Sequence, residues 1–122
     1  MPKQGRNRGQ ITAEGQTTPT VGVGVGWGAT GSAALTTGAN DVAGQVVVTA
    51  AGGTYAQATA TVTITFKSAY AATPRAVIVS CVNAVAIDTG HVSYAVTTTS
   101  LVLTYKVLPA AGAYTFDYLV IA

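Results

Sequence analysis

Hydrophobic and polar positions alternate with a period of two over much of this chain, the spacing of extended segments that bury one face and expose the other. Between Gln57 and Phe66, the residues Ala58, Ala60, Val62, Ile64 and Phe66 alternate with Thr59, Thr61, Thr63 and Thr65. This predicts a strand with one side in a core and a threonine ladder outside. Ala113 to Ile121 follows the same rule, with Tyr114, Phe116 and Tyr118 on one side and Thr115, Asp117 and Leu119 on the other. Val42 to Ala50 is a further strand, ended by the turn Gly52-Gly53. His91 to Thr97 and Leu101 to Val107 are two more, and Thr98 to Ser100 between them is short enough for a hairpin turn. Arg75 to Asn83 follows Pro74 and is apolar on both faces, which predicts a central strand.

Val21 to Gly28 alternates differently, with Val21, Val23, Val25 and Trp27 on one face of an extended segment and bare glycine backbone on the other. Such a naked face suits close packing against another backbone. The six strands named above, with no helical pattern longer than a turn or two, predict an all-β protein. The expected architecture is an antiparallel β-sandwich, jelly-roll-like, over residues 31–122, preceded over residues 1–30 by an extended N-terminal arm and the Gly-rich segment.

Composition narrows the choice. The chain is 49% hydrophobic and only 8% charged, and 22 Ala and 17 Val outnumber 5 Leu and 5 Ile. That is a palette for short, close-packed strands; a helical bundle needs more Leu, Glu and Lys, and a disordered chain needs less hydrophobicity and more charge. One Cys and one His exclude a disulfide framework and a self-contained structural zinc site. Cys81, inside the apolar run Val77 to Val82, reads as a small buried hydrophobe. The net charge of +2 is too slight to imply a nucleic-acid partner. The uncharged stretch Gly15 to Asn40 holds Gln16, Pro19 and many glycines, so no membrane span is expected there. Met1 to Gln10 carries Lys3, Arg6 and Arg8 with no acid and no apolar run after them. It reads as an exposed arm, not a signal peptide, and its three cations are the candidates for docking on a partner.

Candidate chemistry is sparse. Gly26, Gly28 and Gly31 satisfy G-x-G-x-x-G, but Ser32 to Asn40 is too short and too rich in Thr and Gly for the helix a dinucleotide site needs. The match reads as chance. His91 has Asp88 three residues before it and Ser93 two after, yet neighbours in sequence are not a triad, and Asp88 opens an Asp-Thr-Gly turn where a carboxylate bonds its own backbone. The four acids, Glu14, Asp41, Asp88 and Asp117, are scattered singly. No catalytic residue, metal or cofactor is therefore expected. The aromatic residues Trp27, Tyr94, Tyr105, Tyr114 and Tyr118 have two readings, packing in a core or interface and stacking on a glycan.

Several phrases then carry a resemblance. Asn40-Asp41-Val42-Ala43-Gly44 leads into Val46-Val47-Val48-Thr49, and Phe66-Lys67-Ser68-Ala69-Tyr70 is followed by Pro74 and Val77. Asn83 closes that strand, Thr97-Thr98-Thr99 makes the hairpin, and Tyr114 to Ile121 ends the chain. Together, over about residues 38–122, they resemble the small β-sandwich domains of tailed-bacteriophage virion proteins, found in head-decoration and head-fibre proteins and at the tips of tail fibres. The resemblance implies a non-enzymatic structural or attachment role, a homotrimer, and a location in the virion. Its implied partner is the major capsid protein or another virion protein. With only some thirty residues ahead of the sandwich and no long shaft, a capsid decoration protein is the first expectation. A tail fibre, baseplate or spike component that binds a host glycan is the second.

Overall fold

A computed structural model describes residues 18–83, 86, 92–105 and 110–122. Among the described residues, eight strands form two four-stranded sheets in which every pairing is antiparallel. They are β1 (Thr20–Val23), β2 (Ser32–Leu35), β3 (Ala43–Ala50), β4 (Thr61–Thr65), β5 (Ala76–Cys81), β6 (Val92–Val96), β7 (Ser100–Tyr105) and β8 (Gly112–Ile121). The first sheet runs β1-β4-β7-β6 and the second β2-β3-β8-β5.

The period-two pattern places the core as expected. Val62 and Ile64 of β4 and Leu101, Leu103 and Tyr105 of β7 are buried from one sheet. Val46, Val48 and Ala50 of β3 and Tyr114, Phe116, Tyr118 and Val120 of β8 are buried from the other. All of them belong to one hydrophobic cluster. Thr61, Thr63 and Thr65 lie on the opposite side of β4, as the alternation requires. The β6–β7 turn is the Thr97–Ser100 hairpin: Thr97 N donates to Ser100 O (2.9 Å), and the Thr97 hydroxyl accepts from the N–H groups of Thr99 and Ser100. A hydroxyl bonded to the backbone two and three residues on is what lets a glycine-free turn close here.

Some expectations are corrected. The Gly-rich segment is a strand only to Val23. Gly24 N donates to Thr61 O (2.9 Å), and the chain then turns through a 3-10 helix, Val25–Trp27. Val25 is consequently 77% exposed while Trp27 is fully buried, so the four residues do not share a face. The close backbone approach does occur, by a different route: a β-carbon at Gly26 would collide with Ala56 O and with the backbone of Thr59 and Ala60. Trp27 lies in the core cluster and β1 pairs with β4, so residues 20–28 pack with the rest of the described body. Ser32–Leu35 is a strand that its short, weak pattern did not reveal, paired with β3. The alternation from Gln57 becomes a strand only at Thr61, after a 3-10 turn over Gln57–Thr59 that leaves Ala58 exposed.

The most consequential correction concerns β5. It lies at the edge of its sheet, with β8 on one side and no described strand on the other. Its residues also alternate in burial, with Val77 buried on one face and Ile78 exposed on the other.

A candidate docking face on the second sheet

The side chains singled out in the sequence do not converge. Four of the five aromatics are core residues. Trp27 Nε1 donates to Thr61 O (3.1 Å), and its indole meets Tyr105 and Tyr114 edge-on at ring centroid separations of 5.1 and 5.2 Å. The Tyr114 hydroxyl donates to Ala110 O and accepts from Ala110 N, both at 2.8 Å. The Tyr118 hydroxyl donates to Asn40 O (2.6 Å), and a β-carbon at Gly44 would sit 2.7 Å from the Tyr118 hydroxyl oxygen. Tyr105 is buried, and its hydroxyl has no hydrogen-bond partner among the described residues. Burial raises its pKa well above the ordinary phenol value, and Cys81 adds to the effect. These four residues are not available to stack on a glycan; Tyr94, 42% exposed on β6, is the one that remains at the surface.

The docking arm with Lys3, Arg6 and Arg8 lies outside the described residues, as do Asp88 and His91. Ser93 is exposed on β6, where its hydroxyl donates to Thr104 O over a long 3.5 Å. Cys81 is half-buried, with its thiol directed at Ala86 O (3.5 Å). Gly28 and Gly31 follow the 3-10 turn and lead into β2, so the G-x-G-x-x-G spacing opens no helix. Among the described residues, no group of three or more His, Cys, Asp or Glu side chains comes together, and no helix is long and apolar enough to cross a membrane. Two shallow hollows, of about 370 Å³ beside the β2–β3 turn and about 350 Å³ around Val25 and Thr54, are lined by no ionisable side chain.

The buried polar residues Asn40 and Asp41 are occupied in holding loops. The Asp41 carboxylate accepts from the N–H groups of Lys67 (2.8 Å) and Ser68 (3.0 Å), and the Asn40 side-chain oxygen accepts from those of Val42 (2.9 Å) and Ala43 (3.0 Å). The Tyr70 hydroxyl donates to Asp41 O (2.6 Å). Asp41 therefore ties the loop that leaves β4 to the loop that enters β3, one from each sheet. Such charge-assisted bonds to backbone donors are among the stronger ones a loop can have. The motif is a clasp and leaves little carboxylate free for chemistry.

What the surface does offer is an apolar strip along β5 and β8. Register pairs Ala76 with Ile121, Ile78 with Leu119 and Ser80 with Asp117, all on the outer face, while Val77, Val79 and Cys81 pair with Val120, Tyr118 and Phe116 on the inner one. Ile78 is 54% exposed, Val82 47% and Ile121 36%. Val82 continues the pairing, its N–H donating to Thr115 O (2.8 Å). Three of the five large hydrophobics exposed among the described residues thus sit on β5, its continuation at Val82 and the adjacent β8. Scattered exposed hydrophobics are ordinary, but a contiguous group at a sheet edge marks a contact surface. Asp117, the one charge among these strands' outer residues, leans the other way and accepts from Gln45 Nε2 on β3 (3.0 Å). The sequence signal for this strip was the two-faced apolarity of Arg75 to Asn83, which central burial in a sheet explained equally well. Compared with known proteins, the chain matches no family model, no curated protein and no solved structure.

Proposed function

We propose that this chain is a structural protein of a bacteriophage particle, a capsid decoration protein that docks through its N-terminal arm and stabilises the shell. In this reading the two sheets pack as a β-sandwich whose connections are jelly-roll-like: β3 pairs with β8 in one sheet and β4 with β7 in the other, the nesting expected when a long hairpin is rolled up. The observation that supports the proposal is the apolar β5–β8 strip, on a body whose buried Trp, Phe, Leu and most Tyr side chains are spent on the core. A protein that works by covering and being covered needs such a surface, and it has no need of a cleft. The cationic arm, Lys3, Arg6 and Arg8, supplies the attachment to acidic groups of the major capsid protein or another virion protein. Receptor binding by a tail component is the weaker alternative, because Trp27, Tyr105, Tyr114 and Tyr118 are buried and leave no aromatic platform beyond Tyr94.

The test is made on particles. Those lacking this protein are expected to adsorb to host cells normally and to break at lower temperature than complete ones, since a ligand of the assembled shell stabilises it by mass action. Deleting Met1–Gln10 is expected to abolish particle binding while leaving the melting temperature of the folded body nearly unchanged. Particles that keep full thermal stability but lose adsorption would replace decoration by receptor binding.

A further inference from the structure

We propose that the end of the folded body where the N-terminal arm joins it is a second docking element, in which Lys67 and Arg75 set the body against a protein surface rich in carboxylates. The partner's identity as a virion protein rests on the reading above; the placement of the charges rests on the fold alone.

Pairing fixes what lies at that end. Thr20, the first residue of β1, is opposite Thr65, the last of β4, and Pro19 just ahead of it is buried. The chain before Thr18 is therefore joined to the body here. Two residues beyond Thr65, the Lys67 N–H donates to the Asp41 carboxylate (2.8 Å). Asp41 leads into Val42, whose carbonyl accepts from Val120 N (2.7 Å), and Arg75 N donates to the carbonyl of the next residue, Ile121, at the end of β8 (2.8 Å). A continuous series of bonds thus gathers the root of the arm, Lys67, the clasp and Arg75 at one end of the two sheets.

Charge is concentrated with them. Lys67 and Arg75 are the only cations among the described residues; both are exposed, and neither side chain has a partner there. Asp41 is buried, its carboxylate held by two N–H groups. Asp117 lies four residues before Ile121, about 14 Å back along β8, which exceeds the screening length of about 8–10 Å at ordinary salt. Lys3, Arg6 and Arg8 are tethered to the same end by the chain itself. Five cations, Lys3, Arg6, Arg8, Lys67 and Arg75, against Glu14 and Asp41 give a side-chain charge of +3 for the arm and this end, and Lys106, Asp88 and Asp117 leave −1 for the rest of the net +2. A slight net charge conceals a polarised chain.

The setting selects the partner. Neither hollow is lined by Lys67 or Arg75, so the two cations stand on open surface, separated by at least two strand spacings, about 10 Å. Open, separated charges suit an extended surface, not a small anion. A single-stranded nucleic acid needs aromatic faces to stack on. Here Phe66 is buried, and Tyr70 meets it edge-on (ring centroids 4.9 Å apart) with its hydroxyl given to Asp41 O. Separate carboxylates on a folded protein are the chemistry that remains. The clasp grips Lys67 by its backbone N–H, which fixes the loop and leaves the ammonium to reach outward.

The experiment measures binding of the full chain to poly-L-glutamate and to particles lacking this protein, over a range of salt concentrations. Lys67→Gln with Arg75→Gln removes two charges from this end. Ala58→Glu with Ser93→Glu, at exposed positions elsewhere on the body, changes the net charge equally. The first pair is expected to weaken binding to both probes by at least about 5-fold at low salt and to flatten its salt dependence, the second by less than about 2-fold. Lys67→Arg with Arg75→Lys is expected to bind like the wild type. Melting curves establish that each variant is folded, and the single Gln variants replace the double one if it is not. On particles, maleimide labelling in a Cys81→Ser background reads the orientation: Thr73→Cys, between the two cations, is expected to be shielded on binding and Ala58→Cys to stay reactive. Equal losses for the two charge pairs, shielding of Ala58→Cys instead, or a DNA oligonucleotide that stays bound at salt concentrations where both probes are released would each overturn the inference. If no form of the protein binds particles while poly-L-glutamate still ranks the variants as expected, the decoration reading falls and the cationic end stands.

Discussion

The two sheets turn matching faces inward and unlike faces outward. Inside, Val62, Ile64, Leu101 and Leu103 of the β4–β7 pair meet Val46, Val48, Phe116 and Tyr118 of the β3–β8 pair in one cluster. Outside, the β4–β7 pair shows Thr61, Thr63, Thr65, Ser100 and Thr104 with Val102 among them, while the β5–β8 pair shows Ile78, Leu119 and Ile121 beside Ser80 and Asp117. Both outer faces are almost free of charge, so charge does not distinguish them. Hydroxyls can exchange bonds with water and need no cover, whereas exposed Ile and Val side chains gain free energy only when water is removed from them. The inner pattern therefore accounts for the fold, and the difference between the outer faces is where a contact with another molecule is to be sought.

If the inner faces are equivalent, truncating either should do comparable damage. Phe116→Ala on β8 is expected to cost about 3–5 kcal/mol and Leu103→Ala on β7 about 2–5 kcal/mol in urea unfolding. A loss under about 1 kcal/mol on one sheet alone would show that the core belongs mainly to the other. The clasp that ties a loop of one sheet to a loop of the other comes next. Asp41→Ala leaves the Lys67 and Ser68 N–H groups without their carboxylate and is expected to destabilise by about 2–4 kcal/mol. An effect within 0.5 kcal/mol would mean that the loops hold without it.

Alkaline pH probes the core tyrosines of both sheets. Burial raises the pKa of Tyr105 and of Tyr118, with Cys81 contributing to the first and Asp41 and then Tyr70 to the second. Unfolded, each phenol loses its proton around the ordinary phenol value of about 10; folded, it keeps it. Their contribution is thus fully present below pH 10 and is lost as pH rises beyond it, by roughly 1.4 kcal/mol per pH unit for a deeply buried phenol. Urea midpoints measured from pH 8 to 11 should be level and then fall, with a shallower fall for Tyr105→Phe; a level profile to pH 11 would contradict the burial of both residues.

The same two tyrosines separate the sheets at neutral pH. Tyr118→Phe forfeits the bond to Asn40 O and is expected to cost about 1 kcal/mol, whereas Tyr105→Phe removes a buried hydroxyl that has no partner and is expected to gain about as much. Equal signs for the two would show that the Tyr105 hydroxyl is satisfied in solution. Smallest of all are the outer faces: Thr63→Val and Ile78→Thr should each change the stability of the separated chain by no more than about 0.5 kcal/mol. That measurement, made at nanomolar concentration, confines the difference between the faces to association.

Period-two alternation is a local property, and where it is strong it specified strand and inner face without help from the rest of the chain. Thr61–Thr65 and Gly112–Ile121 are the clearest cases, and the Thr97–Ser100 turn was legible for the same reason, since a hydroxyl bonding the backbone two and three residues on needs nothing distant. Non-local questions were beyond it. An apolar run such as Ala76–Cys81 reads alike whether it has neighbours on both sides or one, because the flanking strand is chosen by residues far away along the chain. The alternation at Val21–Gly28 could not announce that the chain leaves its sheet at Gly24, a change driven by a cavity among β4, β7 and β8 that accepts the Trp27 indole and by the Thr61 carbonyl that receives its N–H. Ser32–Leu35 became a strand because β3 was there to pair with it. The sequence alone determined which residues avoid water; the tertiary structure decided which of them succeed, and along β5 and β8 Ile78, Val82 and Ile121 do not, because alternation points them away from the face that carries the core cluster.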